Sequence, residues 1–263
     1  NIIILQMKED FEVYSINCLI DMIKSNQKMG YLRFGDGCIM MMFQENIGRT
    51  IGNSNCSFIS NEVNEIMKQA YLMNSNNMIK GSVMVANDSV HNTSNNIDIH
   101  LYKKNGLNID TSSHISPICI QECFLYHEEK FIEFINTINK NRTIFCCQYY
   151  DKTLDKYFGK IVHYINCPSI NATKNVNEIM KTILNIPFEE YDQIIFSCGQ
   201  ASRMLIYKLF DKLDKKLIDV GSLCDMLVSN KETIFNNIKL RSHIKNNKKK
   251  IQELVKYYEK NID

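Results

Sequence analysis

Tryptophan is absent, and the 263 residues hold only 3 Pro and 10 Gly. So little proline and glycine excludes a collagen-like or low-complexity chain, and 44% hydrophobic with 23% charged residues excludes a disordered one. No apolar run approaches the roughly 20 residues that span a bilayer. The apolar start, Ile2 to Leu5, has no basic flank and meets Glu9 and Asp10. It is too short for the apolar region of a signal peptide. There is no strong excess of one charge: 31 basic against 29 acidic residues leave a net +2. That balance argues against a nucleic-acid partner held by bulk electrostatics. No Cys-x-x-Cys or Cys/His metal spacing occurs among the 10 cysteines. Adjacent Cys146 and Cys147, and Cys167 and Cys198 at the ends of apolar runs, read as reduced, buried thiols. The expected compartment is therefore cytoplasmic.

What is present is alternation. Met29 to Phe34, Ile79 to Ala86, Thr143 to Gln148, Ile161 to Asn166, Gln193 to Cys198 and Lys216 to Val220 are short, apolar and strand-like. Helical periodicity covers Phe11 to Lys24, Ser60 to Met73, Glu128 to Asn139 and roughly 151–158, 174–184 and 200–213. Short buried strands alternating with amphipathic helices predict an α/β, Rossmann-like fold, a mostly parallel sheet with helices on both faces. One domain over residues 1–238 is expected, followed by a basic helical tail over 239–263. In that tail Ile244, Ile251, Leu254 and Tyr257 or Tyr258 share one side. Residues 87–113 are rich in Asn and Ser and read as irregular.

Parallel sheets bind ligands at the carboxyl ends of their strands. Four segments fall there. Arg33-Phe34-Gly35-Asp36-Gly37-Cys38 sets two glycines around a carboxylate after a strand. Gly35 and Gly37 permit close approach of a ligand to the backbone. Arg33 can pair with a phosphate and Asp36 can hold a divalent cation, or the two can simply pair across a turn. In Ser197-Cys198-Gly199-Gln200-Ala201-Ser202 a glycine again precedes a helix, and Gln200 and Ser202 offer hydrogen bonds. Asp219 ends the last strand just before Gly221, and Asn171 follows Cys167-Pro168 into a helix. Convergence of these junctions places a nucleoside diphosphate between the 33–38 and 197–202 turns, with Asn171 and Asp219 lining the cleft. No histidine accompanies Cys167 or Cys198 in sequence, which argues against thiol chemistry, and no HExxH-like spacing points to zinc.

The same segments carry a family resemblance. Tyr31-Leu32-Arg33-Phe34-Gly35-Asp36-Gly37 resembles the "R-[FY]-G-D-G-E" segment of glycosyltransferases with the GT-D fold. Tyr164-Ile165-Asn166-Cys167-Pro168-Ser169-Ile170-Asn171-Ala172 is similar to their "R-I-x-x-P-x-x-N-A" segment, and Ile218-Asp219-Val220-Gly221 to "D-[IV]-G". Ile194 to Leu205 resembles the strand, "G-x-x-A/S" turn and helix between them. The resemblance implies transfer of a hexosyl or pentosyl unit from a nucleotide sugar, a UDP-sugar first, to a hydroxyl of a glycan or glycoprotein acceptor. It implies Asp36 and Asp219 as catalytic residues. It implies Arg33, Gly35, Gly37, Asn171, Gly199, Gln200 and Ser202 as donor-binding residues. It also implies a Mn²⁺ or Mg²⁺ ion on Asp36. The chain departs from the pattern where Cys38 replaces the family's glutamate and Ser222 its histidine. A thiol is a poor ligand for hard cations. Asp219 or Asp225 would then complete a metal site, or the diphosphate would be neutralised by cationic groups alone. Two other functions fit the residues: a Rossmann-like methyltransferase using an acid near Asp88, and a nucleotide-sugar binding module without turnover.

Overall fold

The computed structural model describes residues 2–25, 27–35, 38, 42, 60–82, 114–168, 171–228 and 247–262. Asp36, Gly37, Asp88, residues 83–86 and 87–113, and the tail from 239 to 246, including Ile244, lie outside these residues.

Helix α1 (Ile2–Lys24) leads into β1 (Met29–Phe34), α2 (Asn61–Leu72), β2 (Met78–Ser82) and the two-residue β3 (His114–Ile115). Then come α3 (Cys119–Tyr126), α4 (Glu128–Ile138), β4 (Arg142–Cys147), α5 (Asp155–Phe158) and β5 (Lys160–Asn166). The last elements are α6 (Val176–Leu184), β6 (Gln193–Ser197), α7 (Ala201–Phe210), β7 (Lys216–Asp219), α8 (Leu223–Leu227) and α9 (Lys248–Asn261). The sheet has the order β3-β2-β1-β7-β6-β4-β5, and every pairing is parallel. The six expected strands are all there; the expected end of the second, at Ala86, lies outside the described residues, and the other ends fall within a few residues of expectation. β3 and α3 carried no sequence expectation. They follow the Asn- and Ser-rich stretch, and α3 begins at Cys119 with Ile118 at its N-cap, which offers no side-chain cap.

The centre of the sheet is dry on both sides. All six positions of β1 are buried. Tyr31, Phe145, Ile195 and Ile218 face one cluster, which α1, α3, α4, α8 and α9 cover. Leu32, Ile144, Ile194, Phe196 and Leu217 face the other, which α2, α6 and α7 cover. The face chosen follows the direction of travel. Crossovers that step toward the β3 edge (β1 to β2, β5 to β6, β6 to β7) use the second face. Those that step toward the β5 edge (β3 to β4, β4 to β5) use the first. One crossover hand throughout requires that division.

After β7 the chain turns to α8 on the first face, while the helices after β1 and β6 lie on the second. The C-terminal end of β7 is thus flanked by strands whose chains depart the other way, the geometry that opens a crevice in such sheets. The tail helix is part of the core. Ile251, Val255 and Tyr258 are buried, and Tyr258 Oη donates to Phe124 O at 2.6 Å. Tyr257, the alternative on the same side, is exposed.

Candidate functional site at the carboxyl edge

Three strands end side by side at this edge because the sheet is parallel: Phe196 pairs with Asp219, and Tyr31 with Ile218. One side chain ties the ends together. Arg203, in the first turn of α7, donates from Nε to Arg33 O and from Nη1 to Gly199 O, and its Nη2 lies 3.3 Å from Asp219 Oδ2. The β1, β6 and β7 junctions therefore share one buried guanidinium. Burial is the largest single influence and works against its charge, but the Asp219 carboxylate, joined by Cys38, Cys198 and Tyr31, holds the Arg203 pKa above its usual value. Asp219 is fully buried, and its Oδ1 accepts from Gly221 N at 2.9 Å. Oδ2 is in ion-pair range of Arg203 but receives no well-angled hydrogen bond. The contact is therefore chiefly Coulombic.

Arg33 lies beside this clamp. It is buried; Nε donates to Pro117 O and Nη2 to Gln121 Oε1 at 3.1 Å. Gln121 in turn donates from Nε2 to Val220 O at 2.8 Å, fastening α3 to the end of β7. The remaining nitrogen, Nη1, presses on Gly221, whose φ is +57°. A Cβ at Gly221 would sit 1.2 Å from Nη1, so only glycine fits against the guanidinium. Among the described residues Arg33 makes no salt bridge; its acceptors there, Pro117 O and Gln121 Oε1, are neutral oxygens. A buried cation without a counter-ion is costly, and an anion at the edge relieves that cost.

The two other turn glycines face outward. A Cβ on Gly35 or on Gly199 would meet nothing within 4 Å. Gly199 has φ +58°, a conformation that glycine adopts without penalty. Gln200 is half-buried at the start of α7. Ser202 is buried, and its Oγ accepts from Cys198 N at 3.2 Å, closing the turn. Asn171 takes a left-handed conformation (φ 58°) at the start of the turn Ala172–Asn175. That turn borders a cavity of about 260 Å³ on the second face, lined by Ser60, Thr173, Lys174, Met204 and Lys208 among others. On the first face, Tyr149 Oη donates to Asp225 Oδ1 at 3.0 Å. Burial, with Asp225 adding to it, keeps that phenol well above its usual pKa, so it remains a neutral donor.

The structure thus brings Arg33, Gly35, Gly199, Gln200, Ser202 and Asp219 to one edge, while Asp36 and Gly37 lie outside the described residues. Arg203 and Gln121 were missed. Each sits in the first turn of its helix among mostly apolar residues, and no local pattern in the sequence names its partners. The described cysteines are free thiols. Contact with Cys167 and burial push the Cys198 thiol well up, away from nucleophilic use.

Solved structures share this architecture. A glycosyltransferase from Streptococcus sanguinis with domain of unknown function 1792 superposes with TM-score 0.62 at 16% identity, over 86% of this chain and 85% of that one. A selenomethionine structure of domain of unknown function 1792 gives 0.61 at 16% identity, over 89% and 88%. A third, of the same domain and described as having a distinct glycosyltransferase fold, gives 0.58 at 18% identity, over 84% and 82%. This chain has that glycosyltransferase fold. No family model and no curated protein matches its sequence. The fold agrees with the resemblance carried by the Arg33–Gly37, Tyr164–Ala172 and Ile218–Gly221 segments. Among the described residues, no helix is long and apolar enough to cross a membrane.

Asp36, the residue expected to hold a divalent cation, lies outside the described residues. Asp219 is buried on Arg203, and the buried Cys38 Sγ turns toward Arg33 O at 3.8 Å. Among the described residues no three His, Cys, Asp or Glu side chains converge on a point that could hold a metal.

Proposed function

We propose that the protein transfers a sugar from a nucleotide-sugar donor, a UDP-sugar first, to an acceptor hydroxyl on a glycan. One observation carries the reading: a buried guanidinium, Arg33, with no carboxylate partner among the described residues, lies where two turns present open backbone. The donor diphosphate lies between the 33–38 and 197–202 turns, against Gly35 and Gly199. As the glycosidic bond breaks, the leaving diphosphate gains charge. Arg33 and the positive end of α7 meet that charge from fixed positions in a poorly solvated place, where it is stabilised most. Asp219 acts at one remove, by holding Arg203 and through it the spacing of the turns. Asp36 follows Gly35 directly and is the carboxylate we assign to the reacting centre, either to deprotonate the acceptor hydroxyl or to hold a cation.

The experiment is release of nucleoside diphosphate from a panel of UDP- and GDP-sugars, each with and without Mn²⁺. At least one donor is expected to be turned over, and Asp36→Asn is expected to cut that rate at least tenfold while the protein stays folded. Absence of release from every donor, with no nucleoside diphosphate bound, would remove the proposal. Release that Asp36→Asn leaves intact would move the reacting centre elsewhere.

A further inference from the structure

Four aromatic rings form a column that runs from the core to this same edge. Phe158 and Phe145 are fully buried and stack at 5.4 Å with 21° between their planes. Tyr164 follows Phe145 at 6.5 Å and 34°, and Tyr150 follows Tyr164 at 5.6 Å and 28°. The last two rings are 37% and 38% exposed, so the column breaks the surface unfinished. Both phenols are anchored inward. Tyr150 Oη donates to Asp155 Oδ1 at 2.8 Å, and Tyr164 Oη donates to Cys147 O at 3.1 Å. With their hydroxyls engaged, the rings have only flat π surface to offer a ligand. Such a rigid surface favours a planar ring, because every nucleobase has a π face and the platform has no rotamer freedom left to lose.

The column's position fits the donor reading. Ser197 at the end of β6 pairs with Cys147 at the end of β4, which pairs with Asn166 at the end of β5. At about 4.8 Å per strand, the β5 end lies about 10 Å from the β6 end along the edge. That gap is the place of a ribose between a diphosphate at Gly199 and a base on Tyr150. Resting on the nucleotide-sugar reading above, we infer that Tyr150, backed by Tyr164, stacks the base of the donor nucleotide and is a binding determinant for it.

Calorimetric titration of UDP, GDP and inorganic pyrophosphate into the wild type, Tyr150→Ala and Tyr150→Phe tests this. Tyr150→Ala is expected to weaken UDP and GDP by about 10- to 100-fold, the range seen when a stacking aromatic is truncated, and to leave pyrophosphate unchanged. Tyr150→Phe keeps the ring and is expected to stay within about threefold of wild type. The inference is overturned if Tyr150→Ala binds UDP and GDP like the wild type, or loses pyrophosphate to the same extent. If the wild type itself binds none of the three, the donor site is what fails. Tyr150 lies at the surface, so a melting curve of Tyr150→Ala close to wild type is expected to accompany these results.

Discussion

Replacing Arg203 with alanine is expected to lower the thermal unfolding midpoint by roughly 6–20 °C. The change removes the ion pair and strands the Asp219 carboxylate in the interior, which costs about 3–5 kcal/mol, and a chain of this size loses about 2–4 °C per kcal/mol. It also frees Arg33 O and Gly199 O, so the β1 and β6 turns lose their common donor. Binding of a nucleoside diphosphate should fall with it. The double variant Arg203→Met with Asp219→Leu should regain much of the stability but not the binding, because an apolar pair replaces the buried charges without recreating the two carbonyl contacts. Differential scanning calorimetry separates these outcomes. A midpoint within 2 °C of wild type for Arg203→Ala, on the scale of about 2–4 °C per kcal/mol, would mean that Arg203 is not the clamp.

Gly221→Ala is expected to be the most damaging single methyl at the edge. The new Cβ would sit 1.2 Å from Arg33 Nη1, at a φ of +57°. Left-handed strain contributes about 1–2 kcal/mol, and displacing the guanidinium from Pro117 and Gln121 removes charge-assisted hydrogen bonds of about 1.5–3 kcal/mol each. Gly199→Ala is its control. It carries the same backbone strain at φ +58°, but its methyl enters open space. Urea unfolding should show Gly221→Ala destabilised by several times the Gly199→Ala loss. Equal losses in the two variants would show that Arg33 yields easily, and that its position does not depend on Gly221.

The strands were legible because both faces of the sheet are buried. Runs such as Ile194 to Phe196 and Leu217 to Ile218 are apolar throughout, and no surface alternation blurs them. The turns after β1, β6 and β7 were legible because Gly35, Gly199 and Gly221 follow those strand ends. β3 was not, since a two-residue strand leaves no periodicity to count. Partnerships were the other blind spot. Arg33 beside a Gly-Asp-Gly turn suggests a phosphate or a local pair with Asp36. Nothing local shows that Pro117 and Gln121, more than 80 residues on, take two of its nitrogens. The family resemblance implies a catalytic role for Asp219, while its position at a strand end before a glycine fits a ligand contact or a buried cap equally well. Its place on Arg203 depends on α7 crossing back over the edge, a tertiary fact. The tail helix was legible from the apolar side it shares, and Ile251, Val255 and Tyr258 on that side complete the first core. The exposed Tyr150–Tyr164 pair carries no local pattern either, because Tyr150 comes from the loop after β4 and Tyr164 from β5, 14 residues on.

Gly35 offers the most direct test that a nucleoside diphosphate occupies the space between the two turns. Its backbone is outside the left-handed region, and among the described residues a Cβ there meets nothing within 4 Å, so a side chain added at Gly35 projects toward the space between the turns. UDP titrated calorimetrically into the wild type and into Gly35→Leu is the measurement. The proposed site predicts a measurable wild-type affinity that falls at least tenfold in a variant with an unchanged melting temperature, because the leucine fills the diphosphate's place. Equal UDP affinity in the two proteins, or no binding by the wild type, would contradict it.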